Sequence, residues 1–431
     1  LRAWTTPGWA LAGGLLAVIE FGPLRYWMNT YWGGAVSAVA GCLVFGSLPR
    51  LRARARTRDA VILGLGIGLQ LLTRPFESVL LIVAVILFLL PALRQKQEWR
   101  KLARVMPALL LTVLPAAGLT LLQNKQVTGS WTRLPYVLSR YQYGVPTTWT
   151  FEPNPAPHRE LTAVQRLDYE AQAATHGKDT DSIKAYLERL TNRVRFYRFF
   201  FLAPLYLTLP FFLLRLREFR FVWVVLTLLI FSLGTNFYPY FYPHYIAAAT
   251  CLFVLMGVTG LERLSAWKVW GYGAGQEAAQ VIMVLCAAHF LFWYGFHLFA
   301  DENASVAMRQ YETWDFVNHD DPDGRIAIHD RVAQTTGKQL VFVRYWPRHT
   351  FDEWIQNDAN IDQARVVWAL DRGAADNESL RHYYPDRTVW LLEPDARPPK
   401  LTAYQQEAAP VPPKAPEVPQ QENGIQLLPI H

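Results

Sequence analysis

The chain has little charge. Asp, Glu, Lys and Arg make up 18% of its 431 residues, against roughly 25% in an ordinary soluble domain. It has three cysteines and no CxxC pair or His/Cys metal spacing. Cys42, Cys251 and Cys286 each sit inside an apolar run, which reads as three small buried hydrophobes rather than metal or redox groups. GxxxxGK[ST], GxSxG, HExxH and a complete Ser/His/Asp signature are all missing, which removes the common soluble chemistries those motifs carry. No repeat of 20–50 residues is visible. Leu1 to Pro7 lack a signal-peptide pattern, and the first residue is Leu, so the sequence reads as a fragment or processed chain with further helices expected upstream.

What is present is apolar and aromatic: 52% hydrophobic residues and 14% Phe, Trp and Tyr. The charge is unevenly placed. From Asp301 onward there are 21 acids and 13 Lys/Arg, a net −8; the first 300 residues carry 29 basic and 14 acidic groups, a net +15. Two regions in different surroundings follow. A helix needs about 20 mostly apolar residues to cross a bilayer. Nine runs qualify: 6–22, 33–49, 59–73, 76–93, 104–123, 197–214, 220–236, 243–261 and 278–299. The even connections are short and basic: Arg50, Arg52, Arg54, Arg56 and Arg58 in the second, Arg94 and Lys96 in the fourth, Arg215 and Arg217 in the sixth, Arg263 and Lys268 in the eighth. Positive loops stay in the cytoplasm. Runs such as RLRARARTR are therefore read as setting orientation, not as binding nucleic acid.

The outer face then holds 20–32, 73–77, the long loop 124–196, 234–245 and everything after about 300. FYPYFYPHY (Phe237 to Tyr245) belongs to it. Amphipathic rings favour the water boundary, and two prolines break a helix at membrane depth only where backbone lines a cavity. In the long loop, prolines at 135, 146, 153, 155 and 157 predict an irregular first part, and 159–177 and 179–197 read as amphipathic helices, the second capped by Thr180 or Asp181. QLVFVRY, RVVWALD and RTVWLLE are strand-like and predict a small α/β unit over 300–395 with a largely parallel sheet. The Pro-, Gln- and Glu-rich stretch 396–431 reads as a disordered tail. The expected fold class is an α-helical multi-pass membrane protein, with a transmembrane domain over 1–299 and a small C-terminal extramembrane unit.

Ionisable groups near membrane depth are the candidates for chemistry. Arg74 and Glu77 lie in TRPFE, between two apolar runs. Arg74 either pairs with Glu77 at i,i+3 or holds a phosphate with its planar fork. His244 is either a belt residue bonded to backbone or a donor to a phosphate oxygen, with Tyr242 and Tyr245 beside it. Glu20 is either a solvated helix end or a weak candidate for a catalytic base. No ligand set for a metal is visible, and no cofactor is expected.

Multiple spans, LLTRPFES at an outer span end, an outer loop with LPYVLSRYQYGVP, then NFYPYFYPHY leading into a span resemble, over about 1–300, bacterial membrane glycosyltransferases of the GT-C superfamily. The nearest resemblance is to the group related to protein O-mannosyltransferases and lipid A aminoarabinose transferases. It implies transfer of a sugar from a polyprenyl-phosphate carrier to an acceptor on the outer, periplasmic face of the bacterial inner membrane. The reaction implied is an inverting displacement without a nucleotide cofactor. By that resemblance Arg74 contacts the carrier phosphate, and His244 with Tyr245 does similar work. The family's acidic pair in the first outer loop has no counterpart here. That places the base upstream of Leu1, unless Glu20 substitutes or the chain is inactive alone. The other readings are a transporter or flippase, which predicts internal repeats and mid-span charges, and a non-catalytic anchor presenting the C-terminal unit.

Overall fold

The computed structural model describes residues 1–405 apart from 23, 26, 28–32, 178–180, 269, 301–303, 305, 306, 309, 310, 313, 315–323, 347, 348 and 350–352. The expected outer turn 20–32 lies largely outside the described residues, as do Thr180 and most of the expected tail. The chain divides into two units, residues 1–159 with 172–317 and residues 160–171 with those from 318 on.

The larger unit is helical. It contains α1 (Pro7–Phe21), α2 (Gly34–Arg54), α3 (Thr57–Thr73), α4 (Pro75–Leu93), α5 (Lys96–Thr128) and α6 (Pro135–Tyr143). After α7 (Ala163–His176), which begins in residues of the other unit, come α8 (Ile183–Phe196), α9 (Leu209–Leu213), α10 (Phe219–Thr235), α11 (Cys251–Ser265) and α12 (Ala274–Phe299). Among the described residues, four helices are long and apolar enough to cross a membrane: α2, α4, α5 and α12. Two bent pairs raise that to six if each pair is one span, as expected of a membrane protein. The expected nine are thus not all present as full-length helices. α1 and α10 are apolar but have 15 and 17 residues. The expected span 197–214 is broken into 3-10 turns and α9, with a bend of 104° between Ile183–Phe200 and Ala203–Arg217. Pro204 and Pro210 account for the break, because each removes a helix donor and crowds the preceding turn. The expected span 243–261 likewise starts as a 3-10 turn, Pro243–Ala249, and bends 52° into α11.

Small residues let these helices pack closely, as they do where lipid supplies no hydrophobic drive. The GLGIG of α3 lies between α2 and α5. A Cβ on Gly64 would overlap Thr112 of α5, and one on Gly66 would come within 2.9 Å of the Ala40 carbonyl of α2. Gly41 of α2 meets the Ala248 carbonyl so closely that any Cβ would overlap it. Buried polar groups find partners across helices: Trp223 Nε1 donates to Ala84 O at 2.7 Å, Trp4 Nε1 to Phe45 O at 2.8 Å, and Ser37 Oγ to Gln70 Oε1 at 2.7 Å.

The long loop departs from expectation in two places. α5 runs on to Thr128, and Pro135–Tyr143 is helical rather than irregular. Pro135 sits at the first helical position, where its missing N–H costs nothing and its fixed φ fits. The cap of α8 is Ser182, whose Oγ accepts from Ala185 N at 3.2 Å; Asp181 instead pairs with Arg189.

The smaller unit is built on a four-stranded sheet of order β2-β1-β3-β4, with β1 Lys338–Val343, β2 Val366–Leu370, β3 Arg387–Glu393 and β4 Lys400–Ala403. β1 is parallel to β2 and β3, and β4 is antiparallel to β3. Leu340 to Val343 are buried, as befits a central strand covered on both faces. The helix Arg325–Gln334 covers one face through Ile328 and Val332; the helix Ala374–Tyr383 covers the other through Leu380. β4 lies inside the stretch read as tail. Two consecutive prolines, Pro398 and Pro399, precede four residues, too short a run to show an alternating pattern.

At the carboxyl ends of β1 and β2, Arg344 Nε pairs with Asp371 Oδ2 at 2.5 Å. Burial raises the Asp371 carboxyl, but hydrogen bonds from Arg344, Asn377 and the Gly373 amide outweigh it and hold the group below its ordinary value. Its stabilisation is therefore fully present above about pH 4, the unfolded value, and is lost as pH falls through the lower folded value. The protection of β1 and β2 amides against hydrogen exchange in the intact chain, taken relative to the intrinsic rate at each pH, should fall through that acid range, and Asp371→Asn should remove that acid-range step. An unchanged acid profile in the variant would assign the loss to another carboxylate.

Candidate functional site

Arg74 stands between two helices because of Pro75. A residue before proline is pushed out of the α region. Arg74 has φ −148°, its amide closing α3 on Gln70 O at 2.7 Å while Pro75 opens α4. The break aims the guanidinium at the Tyr245 ring, with Cζ 5.0 Å from its centroid. Nη1 pairs with Glu77 Oε1 at 3.4 Å. Glu77 is in the first turn of α4, where the helix dipole favours an anion, and its side chain is 3% exposed.

The segment 237–245 is a rim of rings. Tyr238 and Tyr245 have centroids 4.9 Å apart; Tyr242 stacks on His244 at 5.3 Å and 6°, and His244 meets Tyr245 edge-on at 4.8 Å. Trp149, from the long loop, stacks on Tyr238 at 4.9 Å and meets Phe76 at 4.5 Å. The turn is held from beneath by Arg193 of α8. Its guanidinium donates to the carbonyls of Thr235, Tyr238 (2.5 Å) and Tyr240 (3.2 Å). A helix end and the turn after it leave carbonyls without helical partners, and this buried cation satisfies three of them. Thr150 N donates to Phe237 O at 2.9 Å, and its hydroxyl to Asp181 Oδ2 at 2.9 Å, which joins the loop to the Asp181–Arg189 pair.

Arg74, Glu77, Tyr242, His244 and Tyr245 are thus brought together at one end of the helices. Glu20 is not. It is neither solvated nor turned toward Arg74: its side chain is 3% exposed and pairs with Arg25 at 3.0 Å. Arg25 is fully buried, donates to Phe199 O, and lies over the Phe200 ring at 4.6 Å. Breaking a buried pair leaves one charge stranded. Arg25→Met should therefore lower stability in detergent by about 3–5 kcal/mol, and Glu20→Gln in the same chain should restore most of the melting temperature. A single variant that melts with the parent would remove the structural role of the pair.

Trp149, Phe76, Tyr238 and Arg193 were not singled out from the sequence. Phe76 and Tyr238 lie inside the stretches TRPFE and FYPYFYPHY, and Arg193 is an arginine inside the amphipathic pattern of α8.

Between α1, α2 and α11 lies a partly open apolar cavity of about 420 Å³, lined by Trp4, Val39, Cys42, Gly46, Thr250 and Leu255 among others. Thr250, one of the lining residues, directly follows the Pro243–Ala249 turn in sequence. Cys42 is exposed into this space rather than buried, and Cys251 lines the same space. Among the described residues, no group of three or more His, Cys, Asp or Glu side chains converges as metal ligands.

No protein family, no curated protein and no solved structure matches the chain.

Proposed function

We propose that this chain is a membrane glycosyltransferase that moves a sugar from a polyprenyl-phosphate donor to an acceptor on the periplasmic face of a bacterial inner membrane. In this reading all nine apolar segments cross or enter the bilayer, and the C-terminal unit lies on the same outer face. One observation supports it: a guanidinium at a proline-made helix break faces a cluster of aromatic rings, in a unit that also holds an apolar cavity. A lipid-linked sugar phosphate has three matching parts, an anion, a ring and an apolar chain.

Arg74 holds the phosphate in this mechanism, sharing its five-donor fork with Glu77. The phosphate leaves with the electrons of its bond to the anomeric carbon, and the cation stabilises the charge that develops. His244 donates to a phosphate oxygen, and the tyrosines stack on the sugar. The acceptor hydroxyl attacks the anomeric carbon and gives its proton to a carboxylate base. Glu20, committed to Arg25, is not assigned that role.

The test is sugar transfer from radiolabelled polyprenyl-phosphate donors in membranes holding the intact protein. Transfer that depends on Arg74 is expected. No transfer from any donor, with the protein folded, would overturn the assignment and favour the anchor.

A further inference from the structure

The smaller unit carries a second pocket, of about 230 Å³, lined by Arg325, Ile326, His329, Trp354, Gln356 and Trp368. The proposed transfer chemistry makes no use of it. We propose that it is a carbohydrate-binding site that takes a single neutral or acidic sugar ring.

The pocket is assembled from three elements. Arg325 and His329 lie at i,i+4 on the helix Arg325–Gln334 and so share a face. Trp368 comes from β2, the edge strand. Trp354 and Gln356 come from the segment before β2, which Asn357 ties to the edge. Its Nδ2 donates to Trp368 O and its Oδ1 accepts from Trp368 N, both at 2.8 Å, in place of a neighbouring strand. Both indoles are nearly buried in the unit's core, so these walls are fixed. The His329 ring stacks on Trp368 at 5.9 Å and 16°, with its Nδ1 3.6 Å from Asp330.

The lining selects the ligand class. A volume below the roughly 300–1,000 Å³ of drug-sized sites admits one ring. Ile326, which is exposed, and the small exposed part of the two indoles supply apolar contact for the C–H groups of a sugar. Arg325 supplies donors only, while His329 and Gln356 supply donors and acceptors, the mixture that hydroxyl groups require. No carboxylate lines the pocket among the described residues, and Arg325 adds positive charge, which disfavours a cation and suits a uronic acid as well as a neutral hexose.

The experiment is a titration of the full chain in lipid nanodiscs, free of maltoside detergent, with glucose, galactose, mannose, N-acetylglucosamine and glucuronate, read by saturation-transfer NMR. At least one should bind saturably with a Kd on the order of 1 mM. His329→Ala and Gln356→Ala, both at exposed positions that the fold tolerates, should each weaken it about tenfold. Arg74→Ala combined with Glu77→Gln, which removes both charges together, should leave it unchanged. Sugar binding therefore survives if the transferase reading fails, and the two can be told apart. Saturation by none of the five sugars, binding indifferent to both pocket variants, or binding of adenosine in place of every sugar would overturn the proposal.

Discussion

Arg74→Ala should abolish sugar transfer, lowering kcat/KM by about a hundred- to a thousand-fold, the cost of removing one charge-stabilising group from a preorganised site. The same substitution also takes the guanidinium from Glu77, whose side chain is 3% exposed. A stranded buried carboxylate costs about 3–5 kcal/mol, so loss of activity alone would not separate catalysis from unfolding. A second substitution separates them. Arg74→Ala with Glu77→Gln removes both charges and should melt near the parent while still failing to transfer. Arg74→Lys keeps a cation on a flexible stem but loses the planar fork and its stacking over Tyr245. Partial activity in that variant would mean that charge dominates; none would mean that the bidentate geometry does. Full transfer by the Arg74→Ala, Glu77→Gln protein would end the phosphate-binding role of Arg74.

The parts of this arrangement visible in the sequence are those encoded over a few residues. TRPFE carries its own helix break, its own cation and its own i,i+3 partner, so Arg74 and Glu77 stood out. FYPYFYPHY carries its prolines and its rings together, which set Tyr242, His244 and Tyr245 apart from a continuous helix. What was not visible depends on distant pairing. Trp149 reaches Tyr238 across 89 positions that include α7 to α10, and Arg193 reaches the Thr235 and Tyr240 carbonyls from a helix read only as amphipathic. The Glu20–Arg25 pair illustrates the same limit. Their proximity in sequence was plain, but their burial comes from Phe199 and Phe200, far along the chain. In the smaller unit the three long β-branched runs announced β1 to β3, whereas β4 owes its pairing to β3 rather than to its own four residues.

Gly46→Phe tests the cavity directly. Val39, Cys42 and Gly46 form one stripe of α2 at i, i+3 and i+7, and all three line the space. A Cβ added at Gly46 meets nothing within 4 Å, so the backbone accepts a side chain there. Helical side chains lean toward the helix N-terminus, which carries the benzyl group over Cys42 and into the cavity. Replacing a mid-helix glycine by phenylalanine also favours the folded helix by about a few tenths of a kcal/mol, so expression should hold. The expected effect is on geometry more than on affinity. A lipid chain moving from bilayer to cavity exchanges one apolar surrounding for another and gains little transfer free energy. A chain displaced from the cavity, however, shifts the phosphate relative to Arg74, and a misplacement of about 1 Å can cost a hundredfold in rate. Transfer should therefore fall by about ten- to a hundred-fold. Gly118→Phe is the control: it makes the same change on the exposed side of α5, where a Cβ also meets nothing within 4 Å, and should leave transfer intact. Equal activity in the Gly46 and Gly118 variants would remove the cavity from the donor site and leave the Arg74 rim to hold the head group alone.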